Sequence, residues 1–457
     1  MAARMAWMRH SVIRTHPARL VVLGFATVIL IGTTLLALPV SAAHGEVTGL
    51  VTALFTATSA VCVTGLVVVD TGVYWSTFGE WVVLGLIQVG GFGIMTMASL
   101  LALLISGKLR LRMTVTAQTE TKSLGIGDVR RVLLGVAGTT LIVELSTAVI
   151  LSLRFRFGYD MPIAESLRQG VFHAISAFNN AGFSLYRDSL TRFQTDPWVT
   201  LPIAIAVILG GLGFPVLLEV LRHRYRRKTT GRQNWSLHTK LTLITTGILL
   251  AVGALLTGLL EWTNPSTLAG MDTSGKLLNS FFHSMTSRTA GFNTIDTGSM
   301  ADSSLLTTSI LMFIGGGSAG TAGGIKVTTF AVLAAAILAE VRGEPHSGIL
   351  NRRLAPHVLR QALTVALLGV GLVMVATVAL LTVVELPFEV VLFEAVSAFG
   401  TVGLSAGATG ELGPVGELII ILLMFIGRLG PVTLVSALAL RERTRRYQLP
   451  EERPVIG

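Results

Sequence analysis

What this sequence has little of removes most functions at once. It holds one cysteine, Cys62, so an internal disulfide and a CxxC metal site are both excluded. Redox and zinc chemistry go with them, and Cys62 reads as a small packed hydrophobe. Charged residues make up 13% of the 457, against roughly 25% in soluble domains, which excludes an ordinary cytosolic enzyme. No convergent Ser/His/Asp, paired-carboxylate or metal-ligand set lies in the apolar segments, and His173 and His283 lack ligand spacing. The chain therefore reads as no enzyme. Basic patches interleaved with aromatics are missing too, so the net charge of +10 indicates no nucleic-acid partner.

Apolar residues, by contrast, reach 51% and the mean hydropathy is +0.71. Leu20 to Val40, Val82 to Ser106 and Val199 to Leu218 are uncharged runs about as long as the ~20 residues a bilayer crossing needs. Such runs recur along the chain, as in a polytopic protein of the cytoplasmic membrane. The Arg-rich start and Val40-Ser41-Ala42 also give the first run the look of a secretory signal; its removal would break the repeat described below. Segments 1–19, 107–131, 219–240, 326–360 and 441–457 hold 27 of the 35 Lys and Arg, which marks them as cytoplasmic. The acids Glu46, Asp70, Glu80, Asp296, Asp302, Glu385, Glu389, Glu411 and Glu417 lie on the other side. Five inside segments with both termini inside require eight full spans. The fold expected is all-α, with pore unit 1 at 20–106, unit 2 at 132–221, unit 3 at 239–340 and unit 4 at 359–440, between cytoplasmic segments 1–19 and 441–457.

Each outer segment contains a further apolar run too short to span: 48–65, 166–182, 276–291 and 388–403. Such runs read as re-entrant half-helices, and non-helical backbone at membrane depth belongs where it is buried or lines water. Aligned on their glycines, the four give Phe55-x9-Gly65, Phe172-x9-Gly182, Phe281-x9-Gly291 and Phe393-x9-Gly403, the self-similarity of a repeat architecture. Thr58-Ser59-Ala60, Ser176-Ala177-Phe178 and Ser397-Ala398-Phe399 echo one another before the glycine. After it come Gly90-Gly91-Phe92-Gly93, Gly210-Gly211-Leu212-Gly213, Gly315-Gly316-Gly317 and Gly427-Arg428-Leu429-Gly430. Four half-helices around one axis, a pseudo-four-fold arrangement, turn their negative C-terminal ends and free carbonyls toward a common centre. A ring of such oxygens replaces a potassium ion's hydration shell. The candidate filter is Val63-Thr64-Gly65, Asn180-Ala181-Gly182, Thr289-Ala290-Gly291 and Thr401-Val402-Gly403. A single glycine of this kind more often closes a turn; four in register do not. The Asn180 side chain has two readings, an ion ligand or, more commonly, a partner for turn backbone.

Ser303 to Ala339 is uncharged except for Lys326, and as one helix it would be about 55 Å long against a hydrocarbon core of about 30 Å. The break falls in Gly315-Gly316-Gly317-Ser318-Ala319-Gly320-Thr321-Ala322-Gly323-Gly324, where glycine disfavours helix and frees backbone groups. G-x-G-x-x-G occurs here with Glu340 beyond it, but that fingerprint counts only inside a βαβ unit. Arg428 lies inside the last span. Its guanidinium has two readings: anchoring freed carbonyls of the 315–324 loop across the pore as a barrier to cations, or pairing with Glu144, the only mid-span acid. Lys326 is balanced between a gate and snorkelling to the inner surface. Arg288, on the third filter loop, reads as a buttress behind the filter, with Glu394 a candidate carboxylate partner.

On these residues the chain resembles the Ktr/Trk/HKT superfamily of potassium transporters over nearly its whole length. With no extra leading helix pair, it is most similar to the Ktr pore subunit. The resemblance implies that 315–324 is an intramembrane gating loop. It also implies that Gly65, where a serine accompanies sodium permeation in that superfamily, marks a potassium-preferring filter. Potassium is then the transported ion and sodium a candidate activator. The chain carries no nucleotide site and its inside segments are too short for independent cores. The resemblance therefore implies a separate cytosolic regulatory ring of RCK type, Rossmann-like, binding ATP/ADP or NAD(H), with a homodimer of this chain placed upon it. Arg222, Arg224, Arg226, Arg227, Lys228, Arg443, Arg445 and Arg446 offer it a positive surface, or simply enforce topology and touch anionic lipid. The competing function is a secondary transporter of an amino acid or anion, with broken helices and alternating access. Inverted two-fold repeats would favour that, whereas these four units run in one direction.

Overall fold

The computed structural model describes residues 17–114, 126–226, 235–344 and 346–430, with the backbone alone for 17, 18, 20, 97–114, 126–132 and 222–226. Four units follow one another, each a helix, a half-helix and a second helix. Unit 1 comprises α1 (Pro17–Leu36), α2 (Leu50–Cys62) and α3 (Thr77–Thr114). Unit 2 comprises α4 (Ile126–Gly158), α5 (Ile163–Phe178) and a divided second helix, α6 (Pro197–Leu212) and α7 (Phe214–Arg226). Unit 3 has α8 (Leu237–Glu261), α9 (Thr273–Thr286) and another divided helix, α10 (Asp302–Phe313) and α11 (Val327–Val341). Unit 4 has α12 (Pro356–Leu381), α13 (Phe388–Gly400) and α14 (Gly413–Leu429). Of the half-helices α2, α5, α9 and α13, the last three begin where helix cannot extend backwards or is capped. Pro162 and Pro387 precede α5 and α13, and the Asp272 carboxylate accepts Gly275 N–H at 3.1 Å ahead of α9.

Four of the described helical segments are long and apolar enough to cross a membrane: 77–96 of α3, 133–158 of α4, α8 and α12. The bent pair α6–α7 makes a fifth. Leu141, Ile142 and Leu145 on α4, Ile248 and Leu255 on α8, and Leu367 and Val375 on α12 face outward exposed, as side chains do where the solvent is lipid. The half-helices are buried between these spans, and Phe55, Phe393 and Phe282 are fully enclosed. Contacts between units close a cycle: α3 packs on α5, α6 on α9, α10 on α13, and α14 on α2. The second helix of every unit thus supports the half-helix of the next, and the last supports the first.

The structure departs from the sequence expectation in three places. The chain is not wholly helical, since Gly348–Ile349 and Arg352–Arg353 pair antiparallel between α11 and α12. Helix α3 runs on to Thr114, past the expected boundary at 106. The second helix of unit 2, expected to be continuous, bends by 102° at Gly213, whose φ is +90°. The cause is a neighbour: the 315–324 loop lies against it, and Phe214 N–H donates to Ala319 O at 3.3 Å.

Where a second helix crosses its own half-helix, the two backbones touch. A β-carbon on Gly90, Gly210 or Gly427 would overlap the carbonyl oxygen of Val61, Phe178 or Phe399 respectively. In α3, Gly85 faces open space. Gly90→Ala should therefore lower thermal stability in detergent, by the ~1–3 kcal/mol of an overpacked core. Gly85→Ala should be neutral or raise it by up to ~1 kcal/mol through helix propensity. Equal melting temperatures for the two variants would contradict this crossing.

Candidate functional site

The half-helices end alike in units 1, 2 and 4. Val63, Asn180 and Thr401 take the left-handed conformation, with φ of +56°, +58° and +49°. Their N–H groups donate to Ala60, Ala177 and Ala398 O at 3.0–3.1 Å, and the next N–H groups to Ser59, Ser176 and Ser397 O at 2.8–2.9 Å. This is a Schellman cap, but with side chains where glycine is usual. At Val63 and Thr401 this costs roughly 1–2 kcal/mol of backbone strain, so tertiary contacts impose the turn there. In unit 3, Thr289 has φ of +77° but Ala290 N–H bonds Thr286 O at 2.9 Å, a shift of one residue.

Beyond these caps the four segments meet. A β-carbon on Gly65 would overlap Ala181 O; on Gly182 it would lie 2.7 Å from Ala290 O, on Gly291 2.5 Å from Val402 O, and on Gly403 it would overlap Thr64 O. The contacts run from unit 1 to 2, 2 to 3, 3 to 4 and 4 back to 1. All twelve residues of the candidate filter are thereby brought together. Of its non-glycine residues none is more than 1% exposed.

Hydroxyls behind the ring hold it, and the serine echo in the sequence marks them. Ser59 donates to Leu66 O at 2.7 Å and accepts Gly65 N–H at 3.1 Å. Ser176 donates to Phe183 O at 2.8 Å, and Ser397 accepts Gly403 N–H at 3.1 Å. In unit 3 the task falls to Thr286, bonded to Phe292 O at 2.6 Å; the one-residue shift concealed it. A second support unread from sequence joins three helices: Asn179 Nδ2 donates to Gln88 Oε1 at 2.9 Å and to Glu144 Oε1 at 3.0 Å.

The glycine-rich stretch 315–324 leaves α10 and returns to α11 at one place, where Ile314 and Ile325 pair in parallel. It docks on the broken end of α6, with Gly317 N–H on Gly211 O at 2.8 Å and Thr321 N–H on Gly210 O at 3.2 Å. It also lies against the start of the candidate filter. A β-carbon on Gly315 would be 3.4 Å from the Thr289 methyl and one on Gly323 would overlap Thr401 Oγ1. Thr321 Oγ1 donates to Asn180 Oδ1 at 2.7 Å.

Arg428, buried, donates through Nη1 to Thr321 O and through Nη2 to Gly90 O at 3.4 Å. It is not paired with Glu144, whose carboxylate is taken by Asn179 and Gln88. Lys326 Nζ turns back into the loop, onto Ala322 O at 2.6 Å and Gly323 O at 3.2 Å.

Two sequence expectations are corrected. Arg288 does not pair with Glu394; it bonds Thr246 O at 3.1 Å and Gly315 O at 3.4 Å, while Glu394 accepts from Ser405 and Thr409. The Asn180 side chain does not bond its own turn; it bridges Thr289 and the loop. Cys62 is buried, as expected. His173 bonds Gln169 O and Ser184 Oγ, and His283 bonds Thr308 Oγ1. Of the expected positive surface, Arg227, Lys228, Arg443, Arg445 and Arg446 lie outside the described residues, as do the side chains of Arg222, Arg224 and Arg226. On the segment past the filter of unit 2, burial alone would raise the Asp188 carboxyl, but hydrogen bonds from Arg192 and Thr191 outweigh it and hold it below the ordinary carboxylate range.

The family described as TrkH, cation transport protein, matches residues 6–444. Ktr system potassium uptake protein B of Bacillus subtilis is 42% identical over 95% of this chain and 96% of its own length. The protein of the same name from Vibrio alginolyticus is 39% identical over 96% and 94%. The potassium/sodium uptake protein NtpJ of Enterococcus hirae is 35% identical over 97% and 98%. The crystal structure of the potassium transporter TrkH from Vibrio parahaemolyticus superposes with a TM-score of 0.68 at 17% identity, over 91% of this chain and 85% of that one, a likeness of fold. On sequence and fold together, the chain belongs to the TrkH family of membrane cation transport proteins and is not an enzyme.

Proposed function

We propose that this protein takes up potassium across the cytoplasmic membrane through a channel-like pore on the axis of the glycine ring. The observation that carries the reading is the cyclic contact among Gly65, Gly182, Gly291 and Gly403. Four negative half-helix ends converge there, and the carbonyls of Thr64, Ala181, Ala290 and Val402, together with those of Val63, Asn180, Thr289 and Thr401, are the ligands we assign to the ion. The relatives named for potassium uptake support the choice of ion. The potassium/sodium name of the Enterococcus relative supports sodium as an activator. The proposed topology has eight spans in pseudo-four-fold order, α1, α3, α4, α6–α7, α8, α10–α11, α12 and α14, with both termini cytoplasmic. Alternating access by an amino acid or anion symporter is not favoured, since the units run in one direction around a fixed axis.

The 315–324 loop is assigned as the gate. It is seated on Asn180, Thr289 and Thr401 beside the filter, with Arg428 and Lys326 as its cationic anchors. Two positive groups beside that loop oppose cation entry while it stays in place. Because the inside segments are short, the signal that moves it is assigned to a separate cytosolic RCK-type ring, Rossmann-like, holding ATP/ADP or NAD(H), beneath a homodimer of this chain. The Bacillus and Vibrio relatives are each named as one protein of a Ktr system, in keeping with such a partner.

Competition fluxes of potassium and sodium in liposomes test the filter. Gly65→Ser should reduce the potassium preference, because a side chain there overlaps Ala181 O; an unchanged preference in normally folded protein would overturn the ring. The gate is tested by basal flux of the chain alone. Arg428→Ala, or deletion within Gly316 to Gly323, should raise it, and loss of flux in folded variants would show that the loop conducts or supports the pore instead. A response to added nucleotide with no second protein present would contradict the partner assignment.

A further inference from the structure

Two of the four units carry a side-chain brace that the others lack. Ser184 and Ser405 each lie two residues past the filter glycine. Each hydroxyl accepts the N–H four residues past that glycine, from Tyr186 at 3.1 Å and Gly407 at 3.1 Å. Each also reaches back to the half-helix residue nine positions before the glycine. Ser184 Oγ is 3.0 Å from His173 Nε2, and Ser405 Oγ donates to Glu394 Oε2 at 2.8 Å. His173 Nδ1 lies 2.8 Å from Gln169 O, which only accepts, so the proton is on Nδ1 and Nε2 receives the serine hydroxyl. Glu394 is wholly buried and its second oxygen accepts from Thr409. Among the described residues it forms no ion pair. The two braces thus use different chemistry, an imidazole and a carboxylate, at one structural position.

Units 1 and 3 differ. The corresponding pair in unit 1 is Thr56 and Val67; the Thr56 hydroxyl is buried with no partner and valine offers none. In unit 3 it is Phe282 and Asn293. Even with that unit's one-residue shift, His283 turns to Thr308 on α10 rather than to the filter segment. The glycine contacts run in the order 1, 2, 3, 4, so the braced units are diagonal. A four-fold backbone therefore carries a two-fold set of side-chain struts.

We propose that Ser184 with His173, and Ser405 with Glu394, are positioning residues that fix the exit segments of two opposite filter strands and so sharpen discrimination between potassium and sodium. The inference rests on the filter reading given above. It adds that the four strands are not held alike: those of units 2 and 4 are tied to their own half-helices by side chains past the glycine, that of unit 1 has no such tie, and that of unit 3 is held instead by the unit 2 segment, with Asn293 N–H on Ser189 Oγ at 3.2 Å and Leu190 N–H on Asn293 O at 2.9 Å. Selectivity in a carbonyl ring depends on the spacing and stiffness of its oxygens, and a strut that stops a strand from drifting acts on both.

The test is potassium-against-sodium competition flux in liposomes for Ser184→Ala and Ser405→Ala, singly and together, with Val67→Ala as the unbraced counterpart. Each serine variant should lower the potassium preference by about three- to tenfold, the equilibrium weight of one net hydrogen bond. The double variant should lower it further, and Val67→Ala should leave it within twofold. Glu394→Gln keeps an acceptor for the hydroxyl and should stay near wild type, whereas Glu394→Ala should lose what Ser405→Ala loses. Wild-type preference in both serine variants, while Gly65→Ser loosens it, would overturn the brace and leave the filter intact. No effect of Gly65→Ser would instead overturn the filter reading itself. Equal loss in Glu394→Gln and Glu394→Ala would overturn the hydrogen-bonded strut in favour of the buried charge. Should a serine variant fail to fold, the Gln and Ala variants of Glu394 decide alone.

Discussion

A β-carbon on any of Gly65, Gly182, Gly291 or Gly403 would crowd or overlap a carbonyl oxygen of the next unit, and that approach of four backbones sets the terms for everything around it. Segments so close cannot be separated by side chains of their own, so they must be held from behind. The half-helices do this by stopping short of the axis in left-handed turns on Val63, Asn180, Thr289 and Thr401, strained by about 1 kcal/mol or more at Val63, Thr289 and Thr401. Ser59, Ser176, Thr286 and Ser397 then bond the backbone of the same segments at or just past the glycine. The second helices in turn support the half-helices in a closed cycle. Glycine recurs at Gly90, Gly210 and Gly427 because those crossings are also backbone against backbone.

The same economy of space explains the loop. A stretch with six glycines among ten residues would be poor helix anywhere, and its freed N–H groups need acceptors at membrane depth. It finds them in Gly210 and Gly211 of α6, whose own helix is broken at Gly213. Carbonyls left over in the loop are met by cations: Thr321 O by Arg428, Ala322 and Gly323 O by Lys326, and Gly315 O by Arg288. No carboxylate neutralises these three among the described residues. Positive charge beside the loop is thus solvated by backbone dipoles, which ties the loop in place.

Much of this was legible in the sequence, because the constraints that produce it act on spacing. A glycine at a fixed distance from a phenylalanine, repeated four times, reports four half-helices of one length, and a run too long for a bilayer reports its own interruption. Arg428 could be assigned to the loop because a mid-membrane guanidinium needs acceptors and the broken segment supplies them. What stayed hidden depends on partners that carry no sequence mark. Gly210-Gly211-Leu212-Gly213 looks like Gly90-Gly91-Phe92-Gly93, and only the loop lying on it makes one a break and the other a helix. Arg288 invited a carboxylate partner, yet its acceptors are backbone carbonyls that every residue has. Phe281 and Phe282 stand side by side, so aligning on the first concealed the one-residue shift that gives Thr286 the serine's task in unit 3.

The central claim is that the glycine ring is itself the ion site. The most direct measurement is a crystal structure of the chain in rubidium or thallium, both potassium substitutes with strong anomalous scattering. The account predicts anomalous peaks on the axis enclosed by Gly65, Gly182, Gly291 and Gly403, lost when sodium replaces the heavier ion. Peaks confined to other parts of the protein, with the ring axis empty at saturating rubidium or thallium, would contradict it.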